Sequence, residues 1–189
     1  KQMIGALGIN RDISERIRKE EHLAKLAHYD MLTELPNRYL LLDRLGHLIK
    51  QAERKKKQFA VLYVDLDNFK NINDNEGHIQ GDYVLKETAK KLRQAIRASD
   101  TVARIGGDEF IILMEDLNDV ENVGRLIEVL TEQLNQPYVI NDKRYIVSGS
   151  IGVAIYPKDG KNADEIMLHA DNAMYEIKKI NKKSRLSNG

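Results

Sequence analysis

The sequence contains no cysteine, which excludes disulfide bonds, thiolate metal sites and cysteine nucleophiles. It also lacks tryptophan, has three prolines and is only 6% aromatic. Positive and negative side chains nearly cancel, with 30 Lys and Arg against 29 Asp and Glu, so nucleic acid is not the expected partner. The longest stretch without a charge, residues 145–157, is too short to span a bilayer, and we expect no membrane contact by this chain.

The apolar content is nevertheless sufficient for one folded domain. The 189 residues are 42% hydrophobic, and a domain typically has about 100–200 residues. Residues 1–28 are rich in charge and sparse in apolar positions, which predicts a linker with a helix beginning near Asp12. A solvated helix and a helix that pairs with a second chain both fit this pattern. Residues 29–189 are expected to form the domain itself.

Hydrophobic periodicity predicts alternating helices and strands across residues 29–189. Helices are expected after the break at Pro36, over 84–96, around 120–134 and after 162, where Asn162 and Glu165 form a capping pattern. Strands are expected at 59–64, on both sides of a Gly-Gly turn at 106–107 and around 145–156. This order predicts an α+β fold with helices packed on a sheet. The inward face of the first helix is expected to carry Leu41, Leu42, Leu45, Leu48, Ile49 and Ala52.

Four acidic side chains stand at the ends of two predicted strands. Asp65 and Asp67 are two residues apart, which predicts that they share a face, and Asp108 and Glu109 follow the Gly-Gly turn. Converging carboxylates repel one another unless a cation joins them, and oxygen ligands favour Mg²⁺ or Mn²⁺ over zinc. The pattern indicates phosphoryl or nucleotidyl transfer, with turn capping and ordinary hairpin chemistry as the alternatives.

Five spaced motifs are more specific than any of these acids alone. They are Asp-x-Leu-Thr-x-Leu-Pro-Asn-Arg at 30–38, Asp-x-Asp-x-Phe-Lys-x-Ile-Asn-Asp at 65–74, Gly-His-x-x-Gly-Asp at 77–82, Gly-Gly-Asp-Glu-Phe at 106–110 and Ser-Ile-Gly-Val-Ala at 150–154. In this order they resemble the GGDEF family of diguanylate cyclases. The resemblance covers residues 28–183, which is most of the chain.

The resemblance implies a fold and a reaction. The fold would be similar to class III nucleotide cyclases and polymerase palms, with a ferredoxin-like core whose mostly antiparallel sheet is flanked by helices. In a homodimer, two GTP molecules would condense to cyclic di-GMP with release of pyrophosphate. The implied metal is Mg²⁺ or Mn²⁺, with ligand positions at Asp65, the Leu66 carbonyl and Asp108, and with Glu109 beside them. Asp108 and Glu109 are the implied catalytic residues, and the group that takes the proton is left open.

The family's substrate-binding positions are also present. Phe69 and Lys70 fall in the segment that approaches the phosphates, and Lys178 falls on a second phosphate contact. Asn73 and Asp82 fall on the guanine-reading positions, which favours GTP as the substrate.

Two further residues near these positions are expected to have smaller roles. His78 is expected to order its loop through a hydrogen bond. Lys182 stands where the family usually has Arg, and since it keeps the charge but loses the bidentate fork, weaker phosphate binding is expected.

Arg97 and Asp100 fall on the family's Arg-x-x-Asp site, at which the product inhibits the enzyme. Feedback inhibition by cyclic di-GMP is therefore expected. The alternative is that Arg97 interacts with the end of its helix while Asp100 caps the following turn.

Residues 5–16 resemble the last strand and exit linker of a PAS sensor domain. We therefore expect an upstream sensor in a longer, cytoplasmic or membrane-attached parent chain, with the domain itself in the cytoplasm. The alternative function is a regulatory module that binds GTP or cyclic di-GMP without turnover. A polymerase-like enzyme acting on nucleic acid is disfavoured by the balanced charge.

Overall fold

In a computed structural model, the structure describes residues 23–117, 119 and 121–187. The predicted linker helix near Asp12 and the PAS-like residues 5–16 lie outside the described residues, and residues 23–28 are helical. In chain order the elements are α1 (Arg38–Lys55), β1 (Gln58–Leu66), α2 (Phe69–Glu76), α3 (His78–Ala95), β2 (Thr101–Gly106), β3 (Glu109–Leu117), α4 (Glu121–Asn135), β4 (Tyr138–Ile140), β5 (Lys143–Tyr145), β6 (Gly149–Tyr156) and α5 (Ala163–Ser187).

The main sheet has four strands in the order β2-β3-β1-β6, and every neighbouring pair is antiparallel. Strands β4 and β5 form a separate two-stranded sheet. The predicted α+β class with a mostly antiparallel central sheet is confirmed. No helix in the described part of the chain is long and apolar enough to cross a membrane.

The central strand β1 is buried on both faces, which explains its unbroken apolar sequence. Leu62 and Val64 belong to the core cluster that includes residues of α3 and α4. Val61 and Tyr63 belong to the cluster that includes residues of α1 and α5. Because successive side chains in a strand alternate between faces, Asp65 continues the set of Val61 and Tyr63, on the α1 and α5 side.

Helix α5 lies very close to strand β6. A Cβ atom added at Gly152 would lie 2.6 Å from the Cα atom of Met174, so only glycine allows this approach. The start of the helix follows the predicted capping pattern: the Glu165 amide donates to Oδ1 of Asn162 at 2.9 Å, and Nδ2 of Asn162 donates to Glu165 at 2.8 Å. This packing brings the C-terminal part of α5 toward the end of β1.

Two details differ from the sequence-based expectations. Leu41, Leu45, Leu48 and Ala52 of α1 are buried, but Leu42 is 39% exposed, because one residue along a helix turns a side chain by about 100°. The strand expected around 145–156 is two strands, since β5 ends at Tyr145 and pairs with β4 before β6 begins at Gly149.

Candidate active site

The pairing of β1 with β3 brings the predicted metal-binding positions together at one end of the sheet. Asp65 is opposite Glu109 in the antiparallel register. The next residue, Leu66, donates its amide hydrogen to the Asp108 carbonyl at 3.2 Å. The Gly106-Gly107 turn, in which Gly107 has a φ of 49°, reverses the chain between β2 and β3 and makes this approach possible. Two acidic segments that are far apart in sequence therefore meet.

Asp65 is the most buried of the three acids at this end, with a residue exposure of 6%. Burial raises the pKa of its carboxyl group, the hydrogen bond from Lys178 opposes that rise, and the negative charges of Asp108 and Glu109 add to it. Nζ of Lys178 donates to Oδ1 of Asp65 at 2.5 Å. Burial alone would lower the pKa of Lys178, but the hydrogen bond and the negative charges of Asp65, Asp108 and Asp67 raise it. The site therefore stabilises a positive charge beside Asp65.

The fourth acid, Asp67, accepts hydrogen bonds from two serine side chains. Ser148 donates to one carboxylate oxygen of Asp67 at 2.9 Å, and Ser150 donates to the other at 2.8 Å. Within the described residues, no three His, Asp or Glu side chains come together as a group that could hold a metal ion. Both carboxylate oxygens of Asp67 therefore accept hydrogen bonds from serine hydroxyls, and the convergence of all four acids on one cation stays a prediction.

The remaining oxygen donors fit a magnesium ion that shares its ligands with a substrate. Mg²⁺ is usually held by one or two carboxylates together with substrate phosphates, rather than by a complete protein cage. Asp65, the Leu66 carbonyl and Asp108 offer hard oxygen donors of this kind. The ammonium group of Lys178 against Asp65 is an observed cation at the same carboxylate.

Arg104, which the sequence reasoning did not identify, fixes the acidic turn from the side. Its Nε and Nη2 donate to the Gly107 carbonyl at 3.0 and 2.7 Å, and its Nη1 lies 3.0 Å from both carboxylate oxygens of Asp30. Thr33 donates to Asp30 through its amide and its hydroxyl. Burial would raise the pKa of Asp30, but the hydrogen bonds from Thr33 and Arg104 outweigh it and lower that pKa. The Asp-x-Leu-Thr motif therefore supports the acidic turn.

The two predicted guanine readers lie on adjacent helices. Asn73 is in α2 and Asp82 is in α3, and the carboxamide of Asn73 packs directly against Gly81, the neighbour of Asp82. Within the described ranges neither side chain makes a hydrogen bond to the protein, so their polar groups are available to a ligand. Phe69 begins α2 and is buried, whereas Lys70 is exposed.

A clamp at the end of α2 holds this region and was also missed. The Tyr145 hydroxyl donates to Glu76, Nδ2 of Asn141 donates to Glu76 at 3.4 Å, and the Lys143 ammonium lies 3.7 Å away. The hydrogen bond from Tyr145 is the main cause of a lowered pKa at Glu76. The β4–β5 hairpin thus anchors the helix that carries Asn73.

Two other predicted substrate residues make no side-chain hydrogen bond or ion pair within the described part of the chain. His78 is the first residue of α3 and is exposed, and the expected loop-ordering hydrogen bond is not seen among the described residues. Lys182 is exposed on α5, one turn beyond Lys178.

The predicted inhibitory pair lies at a cavity of about 510 Å³, which three arginines help to line: Arg44, Arg93 and Arg97. Asp100 accepts hydrogen bonds at 3.2 Å from the amides of Arg97 and Glu115, so its carboxylate caps the turn. The structural alternative for Asp100 is therefore observed. The guanidinium groups give the adjoining cavity a positive lining.

Comparisons with known proteins agree with this architecture. Residues 27–184 match the family described as "Diguanylate cyclase, GGDEF domain". Over 161 residues the chain is 47% identical to the bifunctional diguanylate cyclase/cyclic di-GMP phosphodiesterase MucR of Pseudomonas aeruginosa, covering 85% of this chain and 23% of MucR. It is 38% identical over 164 residues to the diguanylate cyclase TpbB of the same species, covering 86% and 38%.

The fold similarity is equally extensive. The solved GGDEF domain of TpbB has a TM-score of 0.78 and 38% identity, covering 80% of this chain and 89% of that domain. The chain spans between about a fifth and two fifths of the length of these two curated relatives, at 23% and 38%. The family match covers well over half of the sequence. The chain therefore belongs to the GGDEF-domain family of diguanylate cyclases.

Proposed function

We propose that this chain is a diguanylate cyclase that condenses two molecules of GTP into cyclic di-GMP and two molecules of pyrophosphate. The observation that carries the proposal is the meeting of Asp65 with Glu109 and the Asp108 turn at the end of β1 and β3. A pair of guanine-reading side chains, Asn73 and Asp82, supports it from the neighbouring helices. Membership of the family supports the same reaction.

Each half of the reaction is a nucleotidyl transfer. The 3′-oxygen of one GTP attacks the α-phosphorus of the other and loses its proton, while the α–β phosphoanhydride bond breaks and pyrophosphate leaves. Asp65, the Leu66 carbonyl and Asp108 would hold Mg²⁺, which supplies charge neutralisation and polarisation of the α-phosphate. Asp108 and Glu109 are the candidate groups that receive the proton. Positioning and electrostatic stabilisation, rather than a covalent intermediate, supply the rate enhancement.

The remaining predicted residues bind the substrate. Lys178 neutralises the triphosphate, and the contact of its ammonium group with Asp65 supports this role. Phe69 and Lys70 begin α2 next to the phosphates, and Lys182 adds a weaker positive charge. The carboxylate of Asp82 and the carboxamide of Asn73 pair with the donor and acceptor groups of guanine.

Catalysis requires two copies of the domain, because the product contains two guanylyl units and each domain carries one candidate nucleotide site. Each protomer presents its GTP to that of its partner, so the geometry of the homodimer controls the rate. Product bound in the cavity beside Arg97 lowers activity by fixing the domains in an unproductive arrangement.

Product analysis tests the proposal directly. The protein is incubated with GTP and Mg²⁺ over a hundredfold range of protein concentration, and cyclic di-GMP and pyrophosphate are quantified. We expect two pyrophosphates for each cyclic dinucleotide, a specific activity that rises with protein concentration, and little reaction with ATP. Absence of cyclic di-GMP at every concentration would refute the cyclase assignment.

A regulatory module that binds GTP or cyclic di-GMP without turnover is the second candidate. It is favoured by Lys182, which stands where the family usually has Arg and keeps the charge without the bidentate fork. Saturable binding of GTP with no release of pyrophosphate would select this function over catalysis.

A further inference from the structure

Gly81 in α3 forms the surface on which the Asn73 side chain rests. A Cβ atom built at Gly81 would overlap with Oδ1 of Asn73 and would lie 3.0 Å from its Cγ atom. The same Cβ atom would lie 3.2 Å from Cζ of Phe69. The absence of a side chain at Gly81 therefore leaves room for Asn73 and Phe69 of α2, and both residues are proposed to contact the nucleotide.

The backbone does not require glycine at this position. Gly81 lies inside α3, its amide donates to the Gly77 carbonyl at 3.2 Å, and it has no positive φ. Alanine is a better helix former than glycine in such a position. Gly152 differs, because a Cβ atom there would meet the backbone of α5. At Gly81 the conflict is with side-chain atoms, above all with the carboxamide of Asn73.

The backbone of α2 is also fixed around Asn73. The Asn73 carbonyl accepts a hydrogen bond from the Gly77 amide at 3.0 Å, and the Glu76 clamp anchors the same helix end. With the backbone held, the direction of the carboxamide depends on the space that Gly81 leaves. Asp82, the other guanine reader, is the next residue along α3.

We propose that Gly81 is a positioning residue that determines base specificity, because its bare Cα atom seats the Asn73 carboxamide beside Asp82. The inference rests on the proposed function and extends it to a residue that would not touch the nucleotide. A methyl group at this position displaces the carboxamide while α3 stays intact. Recognition of guanine is then weakened, and binding of the triphosphate is retained.

The test compares Gly81→Ala with Asn73→Ala, with the double variant, and with Gly46→Ala. Gly46 is also inside a helix, and a Cβ atom there would meet nothing within 4 Å, so it reports the effect of helix propensity alone. The full chain is titrated with the α,β-methylene analogues of GTP and ATP in the presence of Mg²⁺, since these analogues cannot release pyrophosphate. The side-chain amide resonances of Asn73 are recorded by ¹⁵N NMR without nucleotide.

We expect Gly81→Ala to weaken binding of the GTP analogue about tenfold, which corresponds to the loss of roughly one hydrogen bond, and to leave the ATP analogue unaffected. Asn73→Ala should have a similar effect, and the double variant should be no weaker than either single variant. The Asn73 amide resonances should move in Gly81→Ala and stay in place in Gly46→Ala. If the losses of the two single variants multiply in the double variant, the inference is overturned. It is also overturned if Gly81→Ala keeps the wild-type preference for the GTP analogue.

The stability of the variants provides a second test of the inference. If Gly81→Ala is unstable because its methyl group meets Asn73, the double variant must recover the stability. A double variant that remains unfolded would contradict the inference, because Gly81 would then be needed for other packing. A wild-type chain without preference for the GTP analogue would refute the proposed function, and the role of Gly81 with it.

Discussion

Arg104 joins Asp30 to the carbonyl group of Gly107. Its guanidinium group contacts both carboxylate oxygens of Asp30 at 3.0 Å and donates twice to the Gly107 carbonyl, at 3.0 and 2.7 Å. Arg104 is 12% exposed and Asp30 is 24% exposed, so solvent screens this ion pair only in part. The Asp-x-Leu-Thr motif at the start of the domain is thereby fixed to the acidic turn, although Asp30 and Arg104 are 74 residues apart.

Replacing Arg104 by Lys is expected to loosen the acidic turn. A single ammonium group cannot donate to the Gly107 carbonyl and both oxygens of Asp30 in the geometry of a guanidinium fork. We predict a loss of about 1–2 kcal/mol in the free energy of unfolding and about a tenfold lower kcat. Denaturant titration and pyrophosphate release measure these effects. Arg125→Lys, at an exposed helix position, serves as the control, and equal results for the two variants would contradict the prediction.

The lowered pKa of Asp30 predicts a pH dependence of stability. A carboxyl group with a lower pKa in the folded state stabilises the protein above its unfolded pKa, and that contribution is lost as the pH falls through the folded value. The unfolding free energy of the wild type should therefore decrease more steeply than that of Asp30→Asn below about pH 4. Parallel curves for the two proteins from pH 7 to pH 3 would show that Asp30 contributes nothing through its charge.

Much of the fold was predictable because local patterns reflect local physics. The capping pair Asn162 and Glu165 marks the start of α5, and the Gly106-Gly107 turn indicates the β2–β3 hairpin. The burial of Leu42 was predicted wrongly. Leu40, Leu41 and Leu42 are consecutive, so the sequence does not show which of them faces the core. The break between β5 and β6 was missed because two residues within it, Ile146 and Val147, are as apolar as the strand that follows.

Lys178→Met tests the positive charge beside Asp65. Without the ammonium group, the pKa of Asp65 should rise further, because burial and the charges of Asp108 and Glu109 are no longer opposed. We predict that the KM for GTP rises about tenfold and that the acidic limb of the pH–activity profile moves to higher pH. Lys179→Met is the matched control, because Lys179 is the next residue of α5 and pairs with Glu176 instead of Asp65. A pH–activity profile whose acidic limb does not move would contradict the proposed role of Lys178 beside Asp65.

Tyr145→Phe tests the clamp on α2. Loss of the hydroxyl group removes the main hydrogen bond that lowers the pKa of Glu76 and leaves the end of the helix less well fixed. We predict about a threefold rise in the KM for GTP with little change in kcat, because Tyr145 acts on binding through the helix that carries Asn73. Tyr39→Phe, at a side chain that is 66% exposed, is the control. A fall in kcat at constant KM would place the role of Tyr145 elsewhere.

The candidate site was less predictable than the fold, because its decisive contacts join distant parts of the chain. Asp65 and Lys178 are 113 residues apart, and no local pattern indicates that α5 delivers an ammonium group to the end of β1. Ser148 and Ser150 likewise satisfy Asp67 across the sheet, which the spacing of Asp65 and Asp67 could not indicate. The motifs identified the residue types at the site, and tertiary packing decided which of them meet.

The central claim is that nucleotidyl transfer takes place where Asp108 meets the end of β1, and Asp108→Asn tests it most directly. This substitution keeps the size of the side chain and removes its charge. Pyrophosphate release from GTP is measured for the wild type, for Asp108→Asn and for Asp116→Asn, an exposed acid that pairs with Lys57. We predict at least about a hundredfold loss in Asp108→Asn with unchanged circular dichroism, and wild-type activity in Asp116→Asn. Full activity in a folded Asp108→Asn protein would contradict the account.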